Sequence, residues 1–335
     1  MKIENFISYE QPTNYIVHSD QYTKDGQIPV LTAGQSFVLG YTDEEDGIYT
    51  GEPVVIFDDF TTSVQYVDFP FKVKSSAMKI LKNKQNANIK FCYYLLSWLQ
   101  KMPPNHKRQW ISTTSQIDVN LPPIEWQKKI VQKIEAVSNI IKYRKEELKK
   151  LDELVSARFV EMFYDKGYSA FKWNDVFNTT TGKLDSNAAV ENGEYPFFTC
   201  SKEILRIDEF AFDQEALLLA GNNAAGKYDV KYYNGKFNAY QRTYVLGLKE
   251  NWSYQLFRYQ LEDKLVYLQR QSLGGLTKYL TMKILGELDF IIPPMEKQIE
   301  FEEFAKQVDK SKVAVKKALD ETQLLFDSLM QKYFG

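Results

Sequence analysis

The segment Gly221–Lys227 is the strongest local candidate for chemistry, because Gly221, Gly226 and Lys227 fit the G-x-x-x-x-G-K pattern. In a P-loop this pattern cradles phosphates at the N-terminus of a helix, and a Ser or Thr follows the Lys to bind magnesium. Here Tyr228 follows instead, and then a strand-like run that contains an Asn-Gly pair. The context argues against nucleotide binding.

Two other patterns lack the surroundings of an active site. Asn120–Pro123 partly matches the Asn-Pro-Pro-aromatic motif of adenine methyltransferases, but Leu121 displaces the first Pro and no glycine-rich cofactor loop precedes it. Asp58 and Asp59 end an apolar run and could be metal ligands of a nuclease, but no Glu-x-Lys element accompanies them. We predict a turn or a base-contacting loop at the aspartates, and we assign any methyl transfer to a partner.

The cysteines and histidines support neither a metal centre nor a nucleophile. Cys92, Cys200, His18 and His106 are the only members of these types and show no metal-ligand spacing. They cannot form a Ser/His/Asp or Cys/His constellation. We expect no zinc or other metal, no bound cofactor, no catalytic activity and a reducing compartment.

The first residues resemble no signal peptide and no long apolar run exists, so we expect a soluble, cytoplasmic protein without a membrane partner.

An internal repeat organises the chain. Residues 122–163 match 293–334 at a constant offset of 171, and Pro122-Pro123-Ile124-Glu125 corresponds to Pro293-Pro294-Met295-Glu296. Each Pro pair precedes about 40 residues without Pro or Gly. We predict one long helix after each pair.

Apolar residues follow a heptad-like spacing in both predicted helices, which is typical of a packed seam. The seam residues of the first helix are Ile130, Ile134, Val137, Ile141, Leu148, Leu151 and Val155. Those of the second are Phe301, Ala305, Val308, Leu319 and Phe326. Arg144 and Lys312 interrupt the pattern. The alternative is two unrelated amphipathic helices, but the shared register and the shared Pro-Pro start favour a coiled coil that acts as a ruler of about 60 Å. In the predicted fold class the two helices pair as an antiparallel coiled coil.

The segments before the two helices also resemble one another, since Ile28–Thr32 corresponds to Tyr195–Thr199. Short apolar runs at 53–57 and 216–220 predict strands, and Asn234-Gly235 predicts a hairpin turn. A shorter helix is predicted in each segment, at 88–101 and at 251–271. The predicted fold class is α+β. Two globular domains of mixed strands and short helices, 1–121 and 166–292, alternate with the helical segments 122–165 and 293–335.

Charge is distributed unevenly although the net charge is −2. Residues 1–69 carry 12 acids and 2 bases, whereas 70–120 carry 9 bases and 1 acid. Residues 166–220 carry 9 acids and 5 bases, whereas 221–283 carry 10 bases and 4 acids. A basic half rich in Tyr, Asn, Gln, Ser and Thr suits phosphate contacts combined with base reading. The alternative is that the halves intermix in three dimensions and the charges only solvate the surface.

The chain resembles type I restriction-modification specificity subunits over nearly its whole length. The resemblance lies in Leu121–Ile130 and Ile292–Phe301, and in domain stretches at 32–34, 57–62, 180–184, 221–224 and 239–244. Some members use an N-terminal segment to close a pseudo-symmetric ring. Little such segment precedes the first domain here, so the sequence does not define how the ring would close.

The resemblance implies that each domain, as a target-recognition domain, reads one half of a bipartite double-stranded DNA target while the conserved helices set the spacer. It implies two copies of a modification (methyltransferase) subunit as partners, and restriction (motor/nuclease) subunits for cleavage. S-adenosylmethionine, ATP and Mg would be bound by those partners in this host-defence system. The alternative function is a coiled-coil interaction scaffold that does not read DNA.

The family places DNA contacts on loops of the recognition domains. In the first domain the matching candidates are Thr61, Thr62, Lys72, Lys74, Ser75, Lys107 and Arg108. In the second they are Asn222, Asn223, Lys227, Tyr240, Gln241, Arg242, Ser272, Lys278 and Tyr279. Asn, Gln and Arg can make bidentate contacts to bases, whereas Lys mostly attracts phosphates. Each residue could instead have a structural role.

Overall fold

A computed structural model describes residues 1–32, 36–84, 86–100, 107–224 and 226–335. Parts of some predictions lie outside these ranges: Ala33 and Gly34 of the first resembling stretch, Lys101 at the end of a predicted helix, His106, and Ala225 of the glycine-containing segment. The chain forms two compact units, one of residues 1–146 and 317–335 and one of residues 147–316. We call these unit 1 and unit 2.

Unit 1 contains seven strands and a short helix among its described residues. In chain order these are β1 (Ile7–Glu10), β2 (Ile28–Leu31), β3 (Val38–Thr42), β4 (Val54–Asp58), β5 (Val64–Val67), β6 (Lys72–Val73), β7 (Met78–Asn83) and α1 (Ile89–Leu99). Three 3-10 turns lie at Ile3–Asn5, Pro12–Tyr15 and Thr114–Gln116. The strands form a sheet of order β1-β7-β4-β5 and a second of order β3-β2-β6. Helix α2 (Ile124–Phe163) begins in unit 1 and ends in unit 2.

Unit 2 has a larger sheet. Its elements are β8 (Ala170–Lys172), α3 (Trp173–Val176), β9 (Phe177–Thr181), a 3-10 turn (Ser186–Ala188), β10 (Tyr195–Phe198), β11 (Leu205–Ile207), β12 (Phe212–Ala220), β13 (Asn222–Asn223), β14 (Val230–Ala239), β15 (Thr243–Leu248), α4 (Tyr254–Asp263), α5 (Leu265–Gln271), β16 (Lys278–Tyr279), α6 (Met282–Gly286) and β17 (Asp289–Ile291). The main sheet has the order β11-β10-β14-β12-β15-β9. Helix α7 (Met295–Phe334) begins in unit 2 and ends in unit 1.

The two units share one strand order. In unit 1 the strand β4 lies between β7 and β5, and in unit 2 the strand β12 lies between β15 and β14. In unit 1 the strand β2 pairs in parallel with β6, and in unit 2 the strand β10 pairs in parallel with β14. Strand β14 therefore corresponds to β5 and β6 joined into one. The repeat seen in the sequence extends to the topology of the domains.

The predicted hairpin turn at Asn234-Gly235 is wrong, because β14 continues through both residues. Asn234 pairs with Glu215 and Gly235 pairs with Gln214 of the unbroken strand β12. Gly235 has φ of +130°, a backbone conformation that glycine adopts readily. In unit 1 the chain leaves the sheet at the corresponding place, between β5 and β6.

The predicted apolar strands are confirmed, and they are buried on both faces. In β4, Val55 and Phe57 belong to the core cluster that includes α1, whereas Val54 and Ile56 belong to a second cluster. The residues of β12 alternate in the same way: Leu217 and Leu219 belong to one core cluster, and Ala216 and Leu218 belong to another. A strand covered on both sides reads as a continuous apolar run.

Both long helices are confirmed, each with 40 residues. Their bounds differ by the offset of the repeat, since Ile124 corresponds to Met295 and Phe163 corresponds to Phe334. Each follows a Pro pair, and Pro is well accommodated where a helix begins because the first helical N–H groups have no partner within the helix.

Several residues of the predicted seam lie together in core clusters of the two units. In unit 1, Ile130 and Ile134 near the start of α2 share a core cluster with Phe326 and Met330 near the end of α7. In unit 2, Val155 near the end of α2 shares a cluster with residues near the start of α7. The same cluster contains the seam residues Leu151, Phe301, Ala305 and Val308. The remaining seam residues are buried or half-buried, namely Val137, Ile141, Leu148 and Leu319. The two helices are therefore antiparallel in each unit.

One interruption of the seam has a direct explanation in unit 2. Lys312 Nζ lies 2.6 Å from Asp152 Oδ1, so an ion pair between the helices occupies this position. Arg158 pairs in the same way with Glu300 at 2.6 Å. Val315, at the heptad position that corresponds to Arg144 of α2, is buried.

The predicted short helices have clear starting residues. Asn88 caps α1 by accepting a hydrogen bond from Phe91 N, and Ser253 caps α4 by accepting one from Leu256 N. The predicted single helix at 251–271 is divided, since α4 ends at Asp263 and α5 begins at Leu265. No helix in the described ranges combines the length and the apolar composition that crossing a bilayer requires.

Candidate nucleic-acid interface

Three connections meet at one end of the main sheet of unit 2. The backbone N–H of Gly221 donates to Arg242 O at 2.8 Å, and that of Leu280 donates to Gly221 O at 2.8 Å. The short strands β13 and β16 pair Asn222 with Tyr279. We call the connections 221–229, 240–242 and 272–280 the unit 2 corner.

The unit 2 corner contains all nine candidate residues of the second domain. Four have exposed side chains, namely Lys227, Gln241, Arg242 and Tyr279, and five are half-buried, namely Asn222, Asn223, Tyr240, Ser272 and Lys278. They come from positions up to 57 residues apart, from Asn222 to Tyr279. Tertiary structure therefore brings the separately predicted stretches together.

The glycine-containing segment is the connection between antiparallel strands. Asn222–Asn223 forms β13 and Val230 begins β14, so no helix follows Lys227. The segment lacks the helix N-terminus that a P-loop uses to bind phosphate. This agrees with the sequence argument against nucleotide binding.

The cations of the unit 2 corner lack ion-pair partners within the described part of the chain. Lys227, Arg242 and Lys278 take part in no ion pair there, in contrast with Lys231, whose ammonium contacts Asp229. No ion pair in the described ranges joins residues 166–220 to residues 221–283. Lys227, Arg242 and Lys278 therefore remain available to an anionic partner.

Unit 1 forms the same corner with the same backbone hydrogen bonds. Asp59 N donates to Ala77 O at 3.2 Å, and Gln109 N donates to Asp59 O at 2.8 Å. These bonds correspond to those of Gly221 in unit 2. Likewise Lys74 N donates to Leu31 O, as Tyr240 N donates to Phe198 O, each at 2.9 Å. We call 59–63, 74–77 and 107–109 the unit 1 corner.

The correspondence places the candidates of the two domains at equivalent sites. Lys107 and Arg108 precede Gln109 as Lys278 and Tyr279 precede Leu280. Lys74 and Ser75 correspond in the same way to Tyr240 and Gln241. Thr61 and Thr62 lie in the connection after β4, as Asn222 and Asn223 lie in the connection after β12. Lys74, Ser75, Lys107 and Arg108 are exposed, Thr61 is half-buried and Thr62 is buried.

Asp59 holds the unit 1 corner together. Its side chain is 2% exposed, and its Oδ1 accepts hydrogen bonds from Gln109 N at 3.0 Å and Trp110 N at 2.8 Å. Its Oδ2 lies 3.3 Å from Lys79 Nζ and 4.0 Å from Arg108 Nε. Asp58 accepts from Phe60 N and from Thr61 Oγ1 at 2.6 Å. Both aspartates therefore organise a turn, as predicted, and their oxygens are already used by protein donors.

The structure corrects the prediction for Lys72. Its side chain is fully buried, with Nζ 2.6 Å from Glu44 Oε2, and it donates to Asp46 O at 2.7 Å. Burial disfavours ionised Glu44, but the hydrogen bonds from Lys72 and from the backbone of His18 and Ser19 outweigh it and lower the pKa of Glu44. A side chain without exposed surface cannot reach DNA in this conformation.

Lys72 and the equivalent residue of unit 2, Asn238, both have structural roles. Lys72 pairs with Val30 in the parallel strands of unit 1, and Asn238 pairs with Phe197 in those of unit 2. Asn238 is 4% exposed and donates to Glu209 O at 3.0 Å. Each side chain thus ties the parallel strand to the segment that precedes the central strand.

The charge separation of the first domain does not persist in three dimensions. Besides Lys72, the bases Lys79 and Lys82 pair with acids of the first half, Asp59 and Glu10. The hydrogen bond from Lys82 lowers the pKa of Glu10, although burial opposes this effect. In unit 1 the acidic and basic halves therefore intermix in three dimensions, and Lys74, Lys107 and Arg108 remain as the exposed cations of its corner.

One group of potential metal ligands occurs in the described residues: His18, Glu44 and Asp46. His18 Nε2 lies 3.3 Å from Asp46 Oδ2. The Lys72 ammonium contacts both carboxylates, at 2.6 Å for Glu44 and 3.8 Å for Asp46, and so occupies the cation position of this group.

The Gln of the repeated Pro-Pro motif attaches each domain to its long helix. Gln127 Oε1 accepts from Asn88 N at 2.8 Å, and Gln298 Oε1 accepts from Ser253 N at 2.9 Å. Their Nε2 groups donate to Pro122 O and Pro293 O, each at 2.8 Å. Both side chains are buried, and each partner is the capping residue of the domain's short helix. The only sequence signal for this Gln is its matching place in the segments 121–130 and 292–301.

We expect Gln127→Ala and Gln298→Ala each to lower the free energy of unfolding by about 1–3 kcal/mol, because buried backbone N–H and C=O groups lose their partners. Chemical denaturation would measure this change. Gln323→Ala, on an exposed part of α7, is the matched control and should change stability little. Equal stabilities of all three variants would contradict the attachment role.

The architecture is a duplicated α+β domain on two long helices, and each copy carries an exposed cationic corner, so the chain has two equivalent candidate binding surfaces. The family model of the type I restriction modification DNA specificity domain matches the chain twice, over residues 2–153 and 165–322. The chain therefore belongs to this family, and each match includes one domain and the larger part of the long helix that follows it.

Known relatives agree with this membership. The chain is 39% identical over 194 residues to the type I restriction enzyme EcoR124I/EcoR124II specificity subunit of Escherichia coli, covering 55% of this chain and 47% of that protein. It is 37% identical over 127 residues to the EcoDI specificity subunit of Escherichia coli, covering 37% and 27%. The matched region thus spans about half or less of the length of these relatives.

Solved structures show the same fold. The S subunit of a type I restriction-modification system from M. genitalium superposes with a TM-score of 0.68 at 15% sequence identity. The superposition covers 100% of this chain and 95% of that one. The likeness confirms the predicted fold class, in which two recognition domains alternate with two long helices.

Proposed function

We propose that this chain is the DNA-reading subunit of a type I restriction-modification complex, and that each unit reads one half of a bipartite target. The observation that carries the proposal is the pair of equivalent corners, each with exposed cationic and polar side chains, in two copies of a DNA specificity domain. Duplication of a reading surface suits a target with two separate halves.

The side chains of the corners divide into two kinds. Gln241, Arg242 and Asn222 in unit 2 can form paired hydrogen bonds with adenine or guanine in the major groove. Lys227 and Lys278 there, like Lys74 and Lys107 in unit 1, attract phosphates and position the protein without selecting a sequence. The interface would therefore combine sequence reading with salt-sensitive attraction.

The chemistry is assigned to partner subunits in this proposal. Two modification subunits would bind S-adenosylmethionine and methylate adenine, and restriction subunits would use ATP and Mg for translocation and cleavage. This chain would supply no catalytic group. The paired helices α2 and α7 would set the spacer between the half-sites and dock the modification subunits, and their equal length and shared register support that role.

The test is adenine-methylation mapping with a candidate modification subunit from the same genome, with and without this chain. We expect methylation of a single bipartite motif only when the chain is present. Co-purification of the two proteins would accompany it. Absence of both a motif and a partner would favour the coiled-coil scaffold instead.

We expect Arg242→Ala and Lys107→Ala each to impair binding to the mapped duplex. Loss of a base contact should weaken binding by about 1–3 kcal/mol, whereas loss of a phosphate contact should reduce the slope of log affinity against log salt concentration by about 1. Fluorescence anisotropy at several salt concentrations would distinguish the two contacts. Lys149→Ala, an 80% exposed lysine of α2, is the control. Unchanged affinity and slope for both corner variants would refute the assignment of the corners.

A further inference from the structure

The apex of the loop 273–279 carries an apolar side chain that nothing in the described chain covers. Leu276 is 95% exposed, the highest value of any large apolar side chain in the described ranges, where the next is Leu324 at 70%. Exposure of a complete Leu side chain to water is unfavourable compared with its burial. The position therefore favours a partner that buries Leu276.

The loop that presents Leu276 is closed and shaped by its backbone. Leu273 N donates to Tyr279 O at 3.1 Å, and Tyr279 N donates to Leu273 O at 2.9 Å, so Leu276 lies midway between the two bridged residues. Gly274 has φ of +101°, and a Cβ there would lie 2.2 Å from Thr277 O. Only glycine fits this tight turn. The apex is thus a built feature of the fold.

The same loop belongs to the unit 2 corner. Tyr279 and Lys278 form β16, which pairs with Asn222 and Asn223 of β13. A Cβ on Gly226 would lie 3.4 Å from the Lys278 side chain, which places the neighbour of Lys227 beside Lys278. Lys278 and the segment that contains Lys227 therefore meet in the corner that also carries Leu276, and neither lysine has an ion-pair partner in the described structure.

This arrangement selects one kind of partner. The lysines attract an anionic polymer, but an apolar side chain gains nothing from phosphate groups. On DNA the apolar surfaces that differ with sequence are the thymine methyl group and the faces of the bases. We infer that Leu276 packs against the bases of the half-site that unit 2 reads, as an apolar contact flanked by phosphate-binding lysines. The inference rests on the proposed function and adds a specificity residue to it.

The experiment measures binding of the full chain to the duplex identified by methylation mapping and to a scrambled duplex. We expect Leu276→Ala to weaken specific binding about tenfold or more, the fold-change that loss of a buried Leu side chain implies. Binding to the scrambled duplex and the salt slope should remain unchanged, and Leu276→Met should bind like wild type. Leu276→Ala should fold normally because its side chain contributes little to the interior.

The controls separate the possible failures. Leu324→Ala, at the next most exposed position, should bind both duplexes like wild type. Lys278→Ala should lower the salt slope, which Leu276→Ala should not. If Leu276→Ala keeps the wild-type preference for the specific duplex, or if it impairs only co-purification of the modification subunit, the base contact is refuted. If the wild-type chain itself shows no preference, the proposed function fails rather than this inference.

Discussion

Replacing Asp59 with Ala should lower the free energy of unfolding of unit 1 by about 3–5 kcal/mol, because Lys79 would remain as a buried charge without its partner. The Lys79 side chain is 1% exposed, and its Nζ makes no hydrogen bond, so the 3.3 Å contact with Asp59 is its compensation. The variant also removes the acceptor of two buried backbone N–H groups, those of Gln109 and Trp110. Urea denaturation would measure the loss.

Two further variants make this prediction specific. Asp118 is 77% exposed, and Asp118→Ala should change stability little. The double variant Asp59→Ala, Lys79→Met should be more stable than Asp59→Ala alone, since no unpaired charge would then be buried. We also expect methylation mapping to show relaxed recognition of only one half of the target. An Asp59→Ala protein as stable as Asp118→Ala would disprove the organising role of Asp59.

Phe301→Ala should lower the free energy of unfolding of unit 2 by about 3–5 kcal/mol, the usual effect of emptying the site of a buried Phe. Phe301 is fully buried, with its ring centroid 5.7 Å from those of Phe159 and Phe163 and 5.5 Å from that of Tyr259. It thereby joins α7 to α2 and to the recognition domain. The loss would appear in chemical denaturation of the full chain.

Val313 provides a comparison on the same helix, since its side chain is 68% exposed. Val313→Ala should leave stability almost unchanged, and Phe301→Leu should lose less than Phe301→Ala because it leaves a smaller cavity. If Phe301→Ala and Val313→Ala unfold at the same denaturant concentration, the seam would contribute nothing to unit 2. That outcome would also weaken the role of the helices as a fixed spacer.

The long helices and their starts could be predicted from sequence because their determinants are local. Apolar spacing sets the buried face, and the Pro pairs at 122–123 and 293–294 set the starts. The apolar strands β4 and β12 were also predictable, since burial on both faces leaves a continuous apolar run. The Asn-Gly pair at 234–235 failed as a turn signal because pairing with the unbroken β12 overrides the local preference.

The candidate site was predictable as a set of residue types but not as a surface. Sequence by itself determined the duplicated plan, the two helices and the stretches that carry Asn222, Arg242 and Lys278. Only the tertiary structure decided that these stretches meet at one corner, that Lys72 is buried against Glu44, and that Leu276 is exposed. The physical reason is that helix periodicity arises from neighbours in sequence, whereas burial, ion pairing and the meeting of loops depend on residues distant in the chain.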